Sequence, residues 1–101
     1  MLKEFENDTR VVHCQREEYD IYIGRPSEWG NPYTHIKSEA TLAKFVVRTR
    51  EEAIECYREW VKSQPELMKK LPTLKGKRLG CWCKPKRCHG DVLLEIINEM
   101  Q

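Results

Sequence analysis

The chain of 101 residues lacks any apolar run near the ~20 residues that a membrane span needs. Its opening, MLKEFENDTR, has no apolar stretch of the signal-peptide kind, so no secretion signal is expected. Internal repeats and low-complexity tracts are absent as well. The excess of positive charge is small, 18 Lys and Arg against 16 Asp and Glu, which is no argument for non-specific nucleic-acid binding. The length leaves no room for a large enzyme with separate cofactor and substrate domains. What remains is a very soluble globular chain, 40% hydrophobic and 34% charged, too apolar for a disordered one. We expect one domain spanning residues 1–101, with residues 1–8 as a ragged N-terminus.

Cysteine is not scarce. The five are Cys14, Cys56, Cys81, Cys83 and Cys88. An odd number without a secretion signal argues against a disulfide framework and for a reducing, cytoplasmic setting. Three of them fall within eight residues, which marks a thiol-rich site. Between Lys62 and Arg87 there are nine Lys and Arg and one acid, Glu66. This stretch is either a solvated basic edge or a face that attracts phosphate.

The pattern predicts strands over residues 10–14 and 19–24, with residues 15–18 as a hairpin turn between them. RPSEWGNPY, residues 25–33, has two prolines and a glycine and reads as a structured loop. Residues 42–47 can return as a short strand. Thr49 and Glu52 form a T-x-x-E capping box that opens a helix with Ala53, Ile54, Tyr57, Trp60 and Val61 on one face. Pro65 suits the first turn of a second short helix over residues 66–71. Residues 77–83 read as a strand and 84–87 as a turn. A last helix from Cys88 onward carries the core stripe Val92, Leu93, Ile96 and Ile97. The order predicts a single small α/β domain, a mixed sheet of short strands covered by helices, Rossmann-like in three layers or in two. Its last strand-turn-helix unit resembles the place where open α/β sheets bind ligands.

Two segments hold the candidate site. The first is Cys81-Trp82-Cys83-Lys84-Pro85-Lys86-Arg87-Cys88-His89-Gly90-Asp91. Alternation puts Cys81 and Cys83 on one face of the strand and Trp82 on the other. Cys88 and His89 fall at the start of the last helix, where unpaired N–H groups and the dipole favour a thiolate. Three readings stay open. Cys81, Cys83, Cys88 and His89 have the ligand types of a zinc site. Alternatively, Cys88, His89 and Asp91 form a catalytic or ligand-binding group at a helix N-terminus. The third possibility is that small buried thiols simply pack the strand. Cys81 and Arg87 also spell the C-x5-R of cysteine-dependent phosphatases, but Pro85 removes an N–H from the middle of such a loop.

The second segment is Gly24-Arg25-Pro26-Ser27-Glu28-Trp29-Gly30-Asn31-Pro32. Gly24 and Gly30 permit positive φ, and the prolines stiffen the loop. Arg25 can fork onto a phosphate or carboxylate, Trp29 offers a plane for stacking a base, and Ser27 and Asn31 offer hydrogen bonds. Either these side chains recognise a ligand, with Cys83 beside them, or Trp29 anchors the loop on the core and Arg25 sits in an ion pair. His13 is expected to be structural, and His35 to be solvent-exposed.

IYIGRPSEWGNPY and LGCWCKPKRCHGDVLLEII together resemble the DUF4326 family, small proteins of bacteria and phages, over residues 11–98. The family pattern falls here on Arg25-Pro26-Ser27, on Trp29-Gly30-Asn31-Pro32 and on Cys88-His89-Gly90-Asp91. The closing segment is also similar to the end of DUF488 proteins, which look related to nucleoside deoxyribosyltransferase-like α/β folds. That resemblance implies a nucleotide or nucleoside ligand and glycosidic-bond chemistry of the deoxyribosyltransferase or N-glycosidase kind. The leading expectation is a domain that binds a nucleotide, a nucleoside or a related phosphorylated ligand, with no cofactor. The rival is a zinc-stabilised, non-catalytic module that contacts nucleic acid or protein.

Overall fold

The computed structural model describes residues 9–36 and 43–100. Strand β1 (Arg10–His13) and strand β2 (Ile21–Tyr22) lie on either side of β5 (Arg78–Cys81), giving a three-stranded sheet in the order β1-β5-β2. Both pairings are parallel, with Val12 and Tyr22 each opposite Gly80. Strand β5 is central because it can be: Leu79, Gly80 and Cys81 are all buried, as parallel strands covered on both faces require.

The expected hairpin between the first two strands is therefore corrected. Alternation marked both segments as strands but did not say which strand each would pair with. Residues 14–20 turn back after His13, whose carbonyl accepts from the N–H groups of Arg16 and Glu17. They then cross the sheet, and the Tyr19 ring lies over Gly80, where a Cβ would come within 2.7 Å of it. Asp20 fixes the re-entry, its carboxylate accepting from the Arg78 N–H at 2.7 Å.

A second, two-stranded parallel sheet pairs β3 (Tyr33–Thr34) with β4 (Phe45–Val46), the rings of Tyr33 and Phe45 stacking at 5.1 Å. The strand expected over residues 42–47 thus shrinks to two residues, and Leu42 lies outside the described residues, as do residues 1–8.

Helix α1 (Arg50–Lys62) starts where the capping box placed it. Thr49 accepts from the Glu52 N–H at 3.0 Å, while the Glu52 carboxylate reaches one residue further back, to the Arg48 N–H. Helix α2 (Pro65–Lys70) opens on its proline and runs into a 3₁₀ turn (Leu71–Leu74). Helix α3 (His89–Glu99) is capped by Cys88, whose sulfur accepts from the Gly90 N–H at 3.3 Å. Asp91 returns the bond by accepting from the Cys88 N–H at 3.0 Å. A cysteine stands here where Ser or Thr is usual, and the geometry is that of a capping box. Val11, Ile23 and Leu79 from the sheet pack with Ile54 and Tyr57 of α1 and Val92, Leu93, Ile96 and Ile97 of α3 in one core. The domain is α/β, with its helices gathered on the face bearing Val11 and Leu79. Among the described residues no helix is long and apolar enough to cross a membrane.

Candidate functional site

All three strands of the parallel sheet end at one cavity of about 560 Å³. His13 closes β1, Tyr22 closes β2 with Gly24 and Arg25 beyond it, and Cys81 closes β5, so that Trp82 and Cys83, expected within the strand, follow its end. The first turns of α1 and α3 reach the same space through Arg50, Ala53, Cys88 and His89. Ligands of open parallel sheets sit outside the carboxyl ends of the strands, and this cavity has that position. Its size falls within the usual range for small-molecule sites.

The electrostatics of the wall are one-sided. Arg16, Arg25, Arg50, Lys84, Lys86 and Arg87 line the cavity, and among its described lining residues none is acidic. Lys84 is 3.9 Å from the Asp91 carboxylate; among the described residues the other five have no ion-pair partner there. Lys84, Lys86 and Arg87 come from the basic stretch noted in the sequence, so that part of the run faces the cavity.

The Arg25 loop is held by its backbone. Ser27 N–H bonds to the Gly24 carbonyl and Gly30 N–H to the Ser27 carbonyl, both at 2.9 Å. The positive φ that the sequence suggested for Gly24 and Gly30 is not found; among the described residues only Gly76 takes it. They are needed for close approach instead. A Cβ at Gly24 would collide with the Tyr22 hydroxyl, and one at Gly30 would sit 2.9 Å from Arg25 Cγ. Both cations that precede a proline at the cavity wall, Arg25 and Lys84, make cis bonds to it. Arg25 presents Nη1 as a buried donor with no hydrogen-bond partner.

Other residues of that loop serve the fold. Trp29 is 4% exposed and belongs to the core, so the expectation that it stacks a ligand base is corrected. A tryptophan between two prolines can anchor a loop as readily as it can recognise a ring, and here Tyr57 Oη also fixes its carbonyl at 2.8 Å. Asn31 touches the cavity, but both ends of its amide are occupied: Nδ2 donates to the Ala53 carbonyl and Oδ1 accepts from the Tyr33 N–H. It clamps the loop to α1. Ser27 is not in the cavity wall, and its buried Oγ is unpartnered. Asp91 is absent from the wall too, its carboxylate serving as the cap of α3.

The aromatic plane at the cavity is Trp82, 55% exposed. Its Nε1 donates to Tyr22 Oη at 2.8 Å, Tyr22 donates onward to the Arg25 carbonyl at 3.0 Å, and His13 meets the indole edge-on. Trp82, Tyr22, Arg16 and Arg50 were not picked out by sequence reasoning. An aromatic residue flanked by two cysteines at the end of a strand was the available sign. His35 is half-buried in the cavity wall rather than solvent-exposed, and His13 lines it as well.

The thiols form a cluster. Cys81 and Cys88, both buried, have sulfurs 3.3 Å apart. Cys83 is half-buried beside them, and hydrogen bonds from the Cys81 and Cys88 thiols hold it well below the usual thiol range, with His89 and Arg50 adding to the effect. The same contacts push Cys88 and Cys81 up. The sequence led us to expect a lowered pKa at Cys88, at the helix start; the contacts within the cluster push Cys88 up and Cys83 down instead. All five cysteines are free. The thiols bond with one another, and among the described residues no group of three or more His, Cys, Asp or Glu side chains is arranged to hold a metal ion. His89, the fourth ligand of the zinc reading, is turned to the backbone, its Nε2 lying 2.7 Å from the Ile23 carbonyl.

That carbonyl can only accept, so His89 donates from Nε2 and keeps the lone pair on Nδ1. Burial holds its pKa below the ordinary histidine value despite the Ile23 bond. The unfolded chain therefore takes up a proton near pH ~6.5 that the folded chain refuses, and stability falls as pH drops through that value. The loss is at most about 1.4 kcal/mol per pH unit for one proton. In urea titrations between about pH 7 and 5, His89→Gln should show a slope shallower by up to that amount. An unchanged slope would mean that His89 is protonated in the folded protein.

The model of DUF4326, a domain of unknown function, matches residues 7–99. The chain belongs to the DUF4326 family. An uncharacterised 12.4 kDa protein of the nrdA-td intergenic region of Enterobacteria phage T4 is 36% identical over 95 residues, which cover 90% of this chain and 79% of that one. An uncharacterised protein of Acanthamoeba polyphaga mimivirus is 32% identical over 106 residues, covering 94% of this chain and 75% of its own. No solved structure matches. The DUF4326 match takes in both the Arg25 loop and the Cys88 segment, the two parts of the chain that meet at the cavity.

Proposed function

We propose that this DUF4326 protein binds a phosphorylated small molecule of nucleotide type in the cavity at the carboxyl ends of its parallel strands. The observation that carries the reading is the wall of six Arg and Lys side chains with no acidic residue among those described. A concave site of one sign focuses its field and concentrates the opposite charge. Arg25 adds an unpaired buried donor, whose guanidinium suits the fork of a phosphate. The half-exposed Trp82 indole supplies the face on which a base can stack, the role that Trp29 cannot fill. Glycosidic-bond chemistry is not part of the proposal. Among the described residues the cavity wall has no carboxylate to serve it, and the Asp91 carboxylate is occupied in capping α3.

Calorimetric titration with a nucleoside, its monophosphate, its triphosphate and inorganic pyrophosphate tests the reading. Binding should be absent for the nucleoside, present for the monophosphate and tighter for the triphosphate, and it should weaken as salt is raised. A nucleoside that binds as tightly as its phosphates would overturn it. A single-stranded oligonucleotide that binds far more tightly than the triphosphate would move the function to nucleic acid.

A further inference from the structure

The thiols of Cys81, Cys83 and Cys88 carry no positive charge to hold an anion. The geometry points to a further activity: Cys83 is a peroxide-reactive thiolate and Cys88 is the cysteine that resolves it, closing a Cys83–Cys88 disulfide at the floor of the cavity. Three observations support this assignment, and none depends on which anion the cavity takes. Cys83 lines the cavity and is half-exposed to it, whereas Cys81 and Cys88 are 1% and 2% exposed. A hydroperoxide therefore meets Cys83 first. The wall around it carries cations and no described acid, the setting in which a thiolate persists and reacts. Cys88 lines the same cavity, and its sulfur lies 3.3 Å from that of Cys81, two residues before Cys83, so no large movement precedes the second step.

In the first step the Cys83 thiolate attacks one oxygen of the hydroperoxide and the O–O bond breaks. Cys83 becomes a sulfenic acid, and the departing hydroxide or alkoxide takes a proton to leave as water or alcohol. The cluster has then lost its negative charge. Cys88 caps α3 and accepts from the Gly90 N–H, so it is the thiol best placed to give up its proton next. Its sulfur attacks Cys83 sulfur, the S–O bond breaks, and the hydroxide released takes the Cys88 proton as a second water. Two thiols are oxidised by two electrons, and one hydroperoxide is reduced. Cys81 is the poorer resolving partner. Only Trp82 stands between Cys81 and Cys83, which leaves little chain to bring the two Cα atoms into disulfide geometry.

The test treats the reduced protein with one equivalent of hydrogen peroxide, then counts thiols under denaturation and maps tryptic peptides. Free thiols should fall from the five present to three. Trypsin cuts after Lys86 and Arg87, so the peptide holding Cys83 and the one holding Cys88 should be found joined. Cys81→Ser should still form the link, and Cys83→Ser should slow thiol loss at least ~10-fold. Limited alkylation of the wild-type protein with iodoacetamide reads the same point without a variant, and Cys83 should be labelled first. The assignment fails if Cys14 or Cys56 is oxidised or alkylated first. It fails also if Cys83→Ser loses thiols at the wild-type rate, or if the purified protein carries stoichiometric zinc that protects the cluster.

Discussion

Replacing Arg25 with methionine should weaken nucleoside triphosphate binding about 10–100-fold and leave the unfolding midpoint nearly unchanged. The two halves of this expectation have separate causes. A hydrogen bond to a charged group contributes about 1.5–3 kcal/mol, and each ~1.4 kcal/mol is a factor of ten in affinity. On the stability side, removing one member of a buried ion pair is costly because it strands the other. Arg25 has no such partner: its Nη1 is buried and unpaired, and no described carboxylate pairs with it. Methionine keeps the stem that Arg25 lays beside Gly30. The stability change should stay within about 0.5 kcal/mol, as for substitutions without a special role. Calorimetry and a thermal scan of the same preparation read both halves. A variant that unfolds would make Arg25 a clamp of the loop, and one that binds triphosphate as the parent does would remove the central cation of the proposed site. Arg25→Lys keeps the charge without the fork and should fall between the two.

Much of the fold could be read from the chain because it rests on local signals. Thr49 with Glu52, Pro65 and the Val92-Leu93-Ile96-Ile97 stripe each announce a helix through capping, a preset φ or periodicity. The strand partners could not be read in the same way. Val11 and Ile21 alternate as strand residues should, yet nothing within either segment states that residues 78–81, more than fifty positions further on, lie between them. The parallel arrangement becomes visible only in Gly80, a small residue in a central strand that leaves room for Tyr19.

The site was legible in its segments and less so in its side chains. Arg25, Cys83, Cys88 and His89 come from the two motifs and do line one cavity. Which residue of a motif faces the ligand depends on packing that residue type does not reveal. Asn31 has the donor and acceptor of a recognition residue and uses both on Ala53 and Tyr33. Asp91 has the carboxylate of a catalytic residue and uses it as a cap.

Tryptophan gives the sharpest case, and the two residues should separate in a single pair of variants. Trp29→Ala removes an indole that is 4% exposed and packed in the core. Aromatic-to-alanine changes at such positions cost about 3–5 kcal/mol, against a total of about 5–15 kcal/mol for a typical domain. For a chain this short the variant should be largely unfolded at 37 °C or melt far below the parent. Trp82→Ala removes an indole that is 55% exposed and gives up one bond, from Nε1 to the Tyr22 hydroxyl, which water can replace. Its stability should change by no more than about 1 kcal/mol. Its binding should change more, because stacking of a base on an aromatic side chain contributes about 1–3 kcal/mol. The loss should be confined to ligands with a base: nucleoside triphosphate affinity should fall about 5–150-fold, while pyrophosphate, held by the cations alone, should bind as before. Equal loss for both ligands would show that Trp82 supports the cavity wall rather than a base. A stable Trp29→Ala that no longer binds triphosphate would return the stacking role to the loop and reverse the assignment made from burial.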